Sequence, residues 1–476
     1  MNAVPVNRLA RGAAVVAAVT ALVWVTPIGA ASAVAPPDAD IGAAPADGPP
    51  APERPMRKNG DCITGGVLAN SDLLKAPPAA TSLQLAEAHK FSTGAGVMVA
   101  VLDTGVRPQP RLVGMIPGGD YVDPAGEGFD DCDGHGTIVA GIINAAPSPA
   151  DGLVGVAPNA QIMSIRVTSG LYSPEIPPEN PDDPNQSRTA GDIRALARAI
   201  VHAANLGARV IDVSVASCTD LNRPIDQSIL GGALRYAVEV KDSLVVAAAG
   251  NVNAIDRGAG PPTNCANNPD VDPSRPDDPR NWGGVTSIST PSWFDELVLS
   301  VGYVSPDGAR TDNSMAGPWV DVSAPGSGIV SLSNTGEGVI NGIPGQQGTL
   351  VPIAGTSFAA AYATGLAALV RSRFPQMTAR EAATRIITTA RPPARGTDNV
   401  VGRGVIDPLA ALTFEVPIEG QPPVTVQAAE LSMPPPPAPP DTLPKSAAAT
   451  VAGVVVALLA VVFAVVTAAG LKRKTR

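Results

Sequence analysis

Val99-Ala100-Val101-Leu102-Asp103-Thr104-Gly105 reads as a fully buried parallel strand that delivers a carboxylate at its C-terminal end, since an unbroken apolar run stops at an aspartate and a turn. A strand apolar on both faces needs helices on both sides of its sheet. Outward from it the same pattern repeats. Compact apolar runs at 97–102, 162–167, 210–215, 244–248, 298–301 and 320–323, each closed by Gly, Asp, Ser or Pro, predict strands. Longer stretches at 137–144, 191–206, 225–240, 357–373 and 379–389 predict helices between and after them. The alternation implies one α/β domain on a mostly parallel sheet, over about 83–412. An aspartate before Thr-Gly is also an ordinary turn former, so Asp103 gains meaning only from its company.

That company is three further segments. Asp133-Gly134-His135-Gly136-Thr137 runs into Ile138-Val139-Ala140-Gly141-Ile142, which sets a histidine at the start of a buried helix between two glycines that allow close backbone approach. Only three histidines exist, and His89 and His202 read as surface or packing residues of helical stretches. Gly355-Thr356-Ser357-Phe358-Ala359-Ala360-Ala361 opens an apolar helix and places Ser357 at its N-terminus. Unpaired backbone donors and the helix dipole there favour the negative charge of a tetrahedral acyl-transfer intermediate, although a plain N-cap serine would look the same. Ala247-Ala248-Ala249-Gly250-Asn251 is a small-residue strand ending in an amide that could donate to the same oxyanion.

The ends of the chain place it. Arg8 and Arg11, a short apolar run at 13–25 and Ala31-Ser32-Ala33 read as a signal peptide over 1–33, with an uncleaved anchor as the alternative. Residues 447–471 form an uncharged apolar stretch long enough to cross a bilayer, followed by the basic tail 472–476. Positive charge stays on the cytoplasmic side, so the ectodomain is expected outside the cell membrane on a single-pass anchor. A formal net charge of -10 argues against a nucleic-acid partner.

Between these ends, 34–82 is an Ala-, Pro- and Asp-rich N-terminal extension with little to bury, and 413–446, through Pro434-Pro435-Pro436-Pro437, reads as a stiff extended stalk. Pro-rich insertions at 170–187 and 253–284 read as loops that follow strands at the end where a site should form. The four cysteines, Cys62, Cys132, Cys218 and Cys265, lack zinc-site spacing and suit an exported protein's disulfides. Three pairings are possible; position along the chain favours Cys62 with Cys132 and Cys218 with Cys265. No carboxylate cluster spells a calcium site, and no metal or cofactor is expected.

Taken together, the aspartate, histidine and serine segments resemble the subtilase family in motif and in order along the chain, over about 83–412. The resemblance implies a subtilisin-like three-layer fold and a serine endopeptidase acting on a protein or peptide substrate. It further implies an Asp103–His135–Ser357 triad, with Asn251 in the oxyanion hole and Ser214-Val215-Ala216 as the edge that pairs with extended substrate. Within that family the chain is similar to the mycosins, membrane-anchored proteases associated with type VII secretion. The likeness includes the signal peptide, the cysteine-tied extension, Phe358 after the nucleophile, the two cleft loops and the Pro-rich stalk before one helix. It implies cleavage of a narrow set of exported proteins; the alternative is a mainly structural subunit of the secretion membrane complex. Ala361 stands where subtilisin-like enzymes usually carry proline and Ala216 where they carry glycine, and neither replacement touches a proton-transfer group.

Overall fold

A computed structural model describes residues 34–177, 192–222, 225–252, 265–336, 338–345, 348–417 and 443–473. The expected signal peptide, parts of both insertions (178–191 and 253–264), most of the stalk (418–442) and the end of the basic tail lie outside the described residues. The chain divides into two compact units, Met1–Ile418 and Glu419–Arg476.

The first unit is built on seven strands: β1 (Met98–Asp103), β2 (Ile116–Asp120), β3 (Gln161–Arg166), β4 (Val210–Val213), β5 (Leu244–Ala248), β6 (Leu299–Val304) and β7 (Val322–Pro325). They pair in the order β7-β6-β5-β4-β1-β3-β2, every pair parallel. β4 to β7 are buried at every position, as strands covered on both faces must be. The apolar runs mark six of the seven. The seventh, β2, has the sequence Ile-Pro-Gly-Gly-Asp and no apolar run, which a sheet tolerates at its edge.

Five main helices cover this sheet: α1 (His135–Asn144), α2 (Ile193–Asn205), α3 (Ser228–Arg235), α4 (Thr356–Arg373) and α5 (Ala379–Thr389). α4 crosses β4 to β7 and packs on α1 and α5, whereas α2 and α3 pack together with α2 against β1, β3 and β4. The stretch expected as one helix at 225–240 is α3 followed by a π-helical turn, Tyr236–Val240. α4 is buried from Thr356 to Arg371, so it must be narrow all round. A Cβ on Gly365 would come within 2.4 Å of the Val156 Cβ.

The extension hydrogen-bonds to this body in several places. Its strand Met56–Lys58 pairs antiparallel with Tyr172–Pro174 in the first insertion. Arg198 on α2 donates to Glu53 Oε1 at 2.7 Å and to the Pro49 carbonyl at 2.9 Å, and Gly66 bridges to Gly342. The described part of the second insertion, 265–284, is not structureless. Asn268 donates to the carbonyls of Ser287 and Ala316, both at 2.9 Å, and Arg280 donates to the Val320 carbonyl at 2.8 Å, so side chains fasten what no ladder holds.

In the second unit the described residues are one helix, Leu443–Arg473. Its stretch Ala447–Ala469 has 23 residues and a mean hydropathy of 2.9. At the helical rise that is about 35 Å, enough to cross a bilayer's hydrocarbon.

Candidate active site

The C-terminal end of β1 and the N-terminal end of α1 bring Asp103 and His135 together. Asp103 is wholly buried; its Oδ1 accepts the Thr104 amide at 2.7 Å and lies 2.8 Å from His135 Nδ1. A carboxylate at that distance assigns the ring proton to Nδ1 and leaves the lone pair on Nε2. His135 opens α1 directly after Gly134, whose φ of 82° makes the turn that points the imidazole back at β1.

Sequence reasoning missed what holds this corner. Asp131 Oδ1 accepts from the Thr104 hydroxyl and the Gly134 amide, both at 2.8 Å, while Oδ2 accepts from the Thr137 amide at 2.8 Å and its hydroxyl at 2.6 Å. Burial pushes its carboxyl up to about 6 against those four donors. Asp133 accepts from the Ser169 hydroxyl at 2.5 Å and the Gly170 amide at 2.9 Å, tying the histidine loop to the first insertion. Burial pushes Asp133 up to about 7. The signal was present in Asp131-Cys132-Asp133-Gly134-His135, where two carboxylates precede a helix start.

Ser357 is the second residue of α4, after N-cap Gly355, and is 8% exposed. Its neighbour Phe358 lies against His135, ring centroids 5.1 Å apart, which brings the start of α4 and the start of α1 into contact. The Ser214 hydroxyl at the end of β4 donates to the Ser357 carbonyl at 3.0 Å and fixes that first turn. Asn251 follows β5. Its Oδ1 accepts from the Thr356 amide at 2.9 Å and hydroxyl at 3.2 Å, so the orientation of the amide is set and Nδ2 is its remaining polar atom, a donor. Val215 and Ala216, between β4 and the strand Ser217–Asp220, are paired into neither.

Cys62 is joined to Cys132 and Cys218 to Cys265. The first bond ties the extension three residues before His135. The second lies behind the oxyanion candidate, since Cys218 Sγ is 3.5 Å from Met315 Sδ and the Met315 amide donates to the Gly250 carbonyl at 2.9 Å. The other histidines are elsewhere: His89 Nε2 is 2.9 Å from the Val156 carbonyl, and His202 Nδ1 is 2.9 Å from Asp47 Oδ1 of the extension.

A parallel sheet presenting Asp, His and Ser in that chain order, with an amide beside the serine, defines the class of subtilisin-type serine proteases. The model of the subtilase family, Peptidase_S8, matches residues 94–404. The chain is 51% identical to mycosin-1 of Mycobacterium tuberculosis over 387 residues, covering 81% of this chain and 84% of that one. It is 49% identical to mycosin-1 of Mycolicibacterium smegmatis over 385 residues, 81% of this chain and 83% of the relative. The crystal structure of MycP1 from the ESX-1 type VII secretion system superposes with a TM-score of 0.76 at 49% identity, covering 81% of this chain and 97% of that one. A chain of an intact ESX-5 inner membrane complex gives a TM-score of 0.76 at 44% identity, over 91% of this chain and all of that one. The chain belongs to the subtilase family and, within it, to the mycosins.

Proposed function

We propose that Asp103, His135 and Ser357 are the catalytic triad of this serine protease, and the observation that carries the assignment is the 2.8 Å Asp103–His135 bond at the start of the helix that meets Ser357's own helix through Phe358. Asp103 fixes the Nδ1–H tautomer and stabilises the imidazolium. His135 Nε2 takes the Ser357 proton as Oγ attacks the scissile carbonyl, then returns it to the leaving amine. Asn251 Nδ2 and the Ser357 amide receive the oxyanion, and Ser214-Val215-Ala216 pair with an extended substrate.

The catalytic unit stands outside the cytoplasm, released from a signal peptide at 1–33 and carried through the Pro-rich stalk 413–446 on a span at 447–471 with its basic tail inside. Its substrates are a narrow set of exported proteins, and it works with a type VII secretion system. Similarity to a chain of the ESX-5 inner membrane complex favours a second role as a stabilising subunit of such a complex. Reaction with a serine-directed fluorophosphonate tests the triad: the full chain labels and Ser357→Ala does not, with turnover down by ~10⁶. Secretion lost on deleting the chain but kept by Ser357→Ala assigns the structural role; substrate processing lost with Ser357→Ala assigns the enzymatic one.

A further inference from the structure

Beneath the triad lies a carboxyl that the reaction above does not use. Asp212 sits on β4, paired with Val101 of β1 on one side and Val246 of β5 on the other, and is wholly buried. Asp103 lies two residues beyond Val101, so strand alternation turns Asp212 and Asp103 to the same face. On that face α4 supplies one hydroxyl: Thr364 Oγ1 donates to Asp212 Oδ1 at 2.6 Å. The Ser214 hydroxyl is also near, but its single proton goes to the Ser357 carbonyl at 3.0 Å. Asp212 Oδ2 finds no donor among the described residues. The ionisable groups that act on Asp212 are Asp103 from β1, which disfavours its charge, and His135 from α1, which favours it. Its flanking strand partners are valines and α4 contributes Thr364, so no cation is paired with it among the described residues.

We propose that Asp212 is a positioning residue of the triad: a wholly buried carboxyl on the sheet face of Asp103, held by Thr364, whose charge strengthens the hold of the Asp103–His135 pair on its proton. Burial is the largest influence, pushing the group up to about 7. Each ionisation opposes loss of the other proton's electrostatic partner: an Asp212 anion stabilises the His135 imidazolium, and an imidazolium stabilises the anion. The acidic limb of the activity profile is therefore broad and belongs to both groups.

The inference rests on the triad assignment, and the rate of fluorophosphonate labelling against pH, measured on the full chain in detergent, separates the two. Asp212→Asn keeps the acceptor for Thr364 and removes the titrating charge. Its acidic limb moves to lower pH by roughly half to one unit and narrows to a single ionisation. Thr364→Val takes away the hydroxyl that favours the anion, delays charging of Asp212, and moves the limb in the same direction; it decides the matter should Asp212→Asn fail to fold. Limbs that superpose on the wild type in both variants would overturn the proposal while leaving the triad intact. A wild-type chain that does not label at any pH removes the triad assignment and this inference with it.

Discussion

Asn251 shows how a side chain that means little in sequence becomes specific in space. A Gly-Asn pair is an ordinary turn signal, yet here Thr356 occupies the amide oxygen through both its N–H and its hydroxyl, so the side-chain amide is fixed beside the first turn of α4. In the proposed oxyanion role its contribution would appear where charge develops on the substrate oxygen. Asn251→Ala is expected to lower kcat by ~10²–10³ with little change in KM, checked by steady-state hydrolysis of a peptide substrate. Equal losses in binding and turnover would mean that Asn251 serves the cleft's shape instead. Ser357, His135 and Asp103 could be picked out as candidates because each lies at the end or start of an element with a short, recognisable signature. Asp212 and Thr364 could not, since a lone carboxylate or hydroxyl inside an apolar run has no local pattern and gains its role from a partner 152 positions away.

Among the elements, α4 joins the core to the chemistry. It carries Ser357 at one end and fills the space over β4 to β7 with alanines, so the position of the proposed nucleophile follows from how closely that helix can approach its neighbours. Gly365→Val places a branched side chain where a Cβ alone would meet the Val156 Cβ at 2.4 Å. We expect a loss of about 1–3 kcal/mol in urea unfolding, together with slower fluorophosphonate labelling as the first turn of α4 shifts. Unchanged stability would show that α1 and its following loop yield freely. The strands over which α4 lies could be read from their apolar runs because both faces are covered. β2 could not, because an edge strand needs no such run; nor could the break of 225–240 into α3 and a π-helical turn, since apolar spacing does not distinguish two helical pitches over so few residues.

Across the whole molecule, the extension and the histidine loop are one mechanical system. The bond between Cys62 and Cys132 closes 70 positions of chain, for which loop-closure entropy gives on the order of 4 kcal/mol. The double variant Cys62→Ser/Cys132→Ser is expected to unfold at lower urea by that order and to label more slowly, since Cys132 lies three residues from His135. Asp133 fastens the other side of the same loop and makes stability depend on pH. Its carboxyl titrates near 3.8 when unfolded and near 7 when folded, because burial outweighs the Ser169 and Gly170 donors. Between those values the native state holds a proton that the unfolded chain has released, so stability falls as pH rises; the contribution is complete below about 4 and gone above about 7. Asp242 and Asp270, whose Arg371 and Arg310 partners help hold their carboxyls below the usual range, act in the opposite sense at lower pH, so the measurement must be a difference between variant and wild type. Asp133→Asn stays neutral throughout. Its stability relative to wild type should rise by on the order of a few kcal/mol from pH 4 to pH 8, read from urea unfolding of the full chain in detergent. A difference that does not change with pH would show that Asp133 is ionised in the folded protein and that its two hydrogen bonds outweigh its burial.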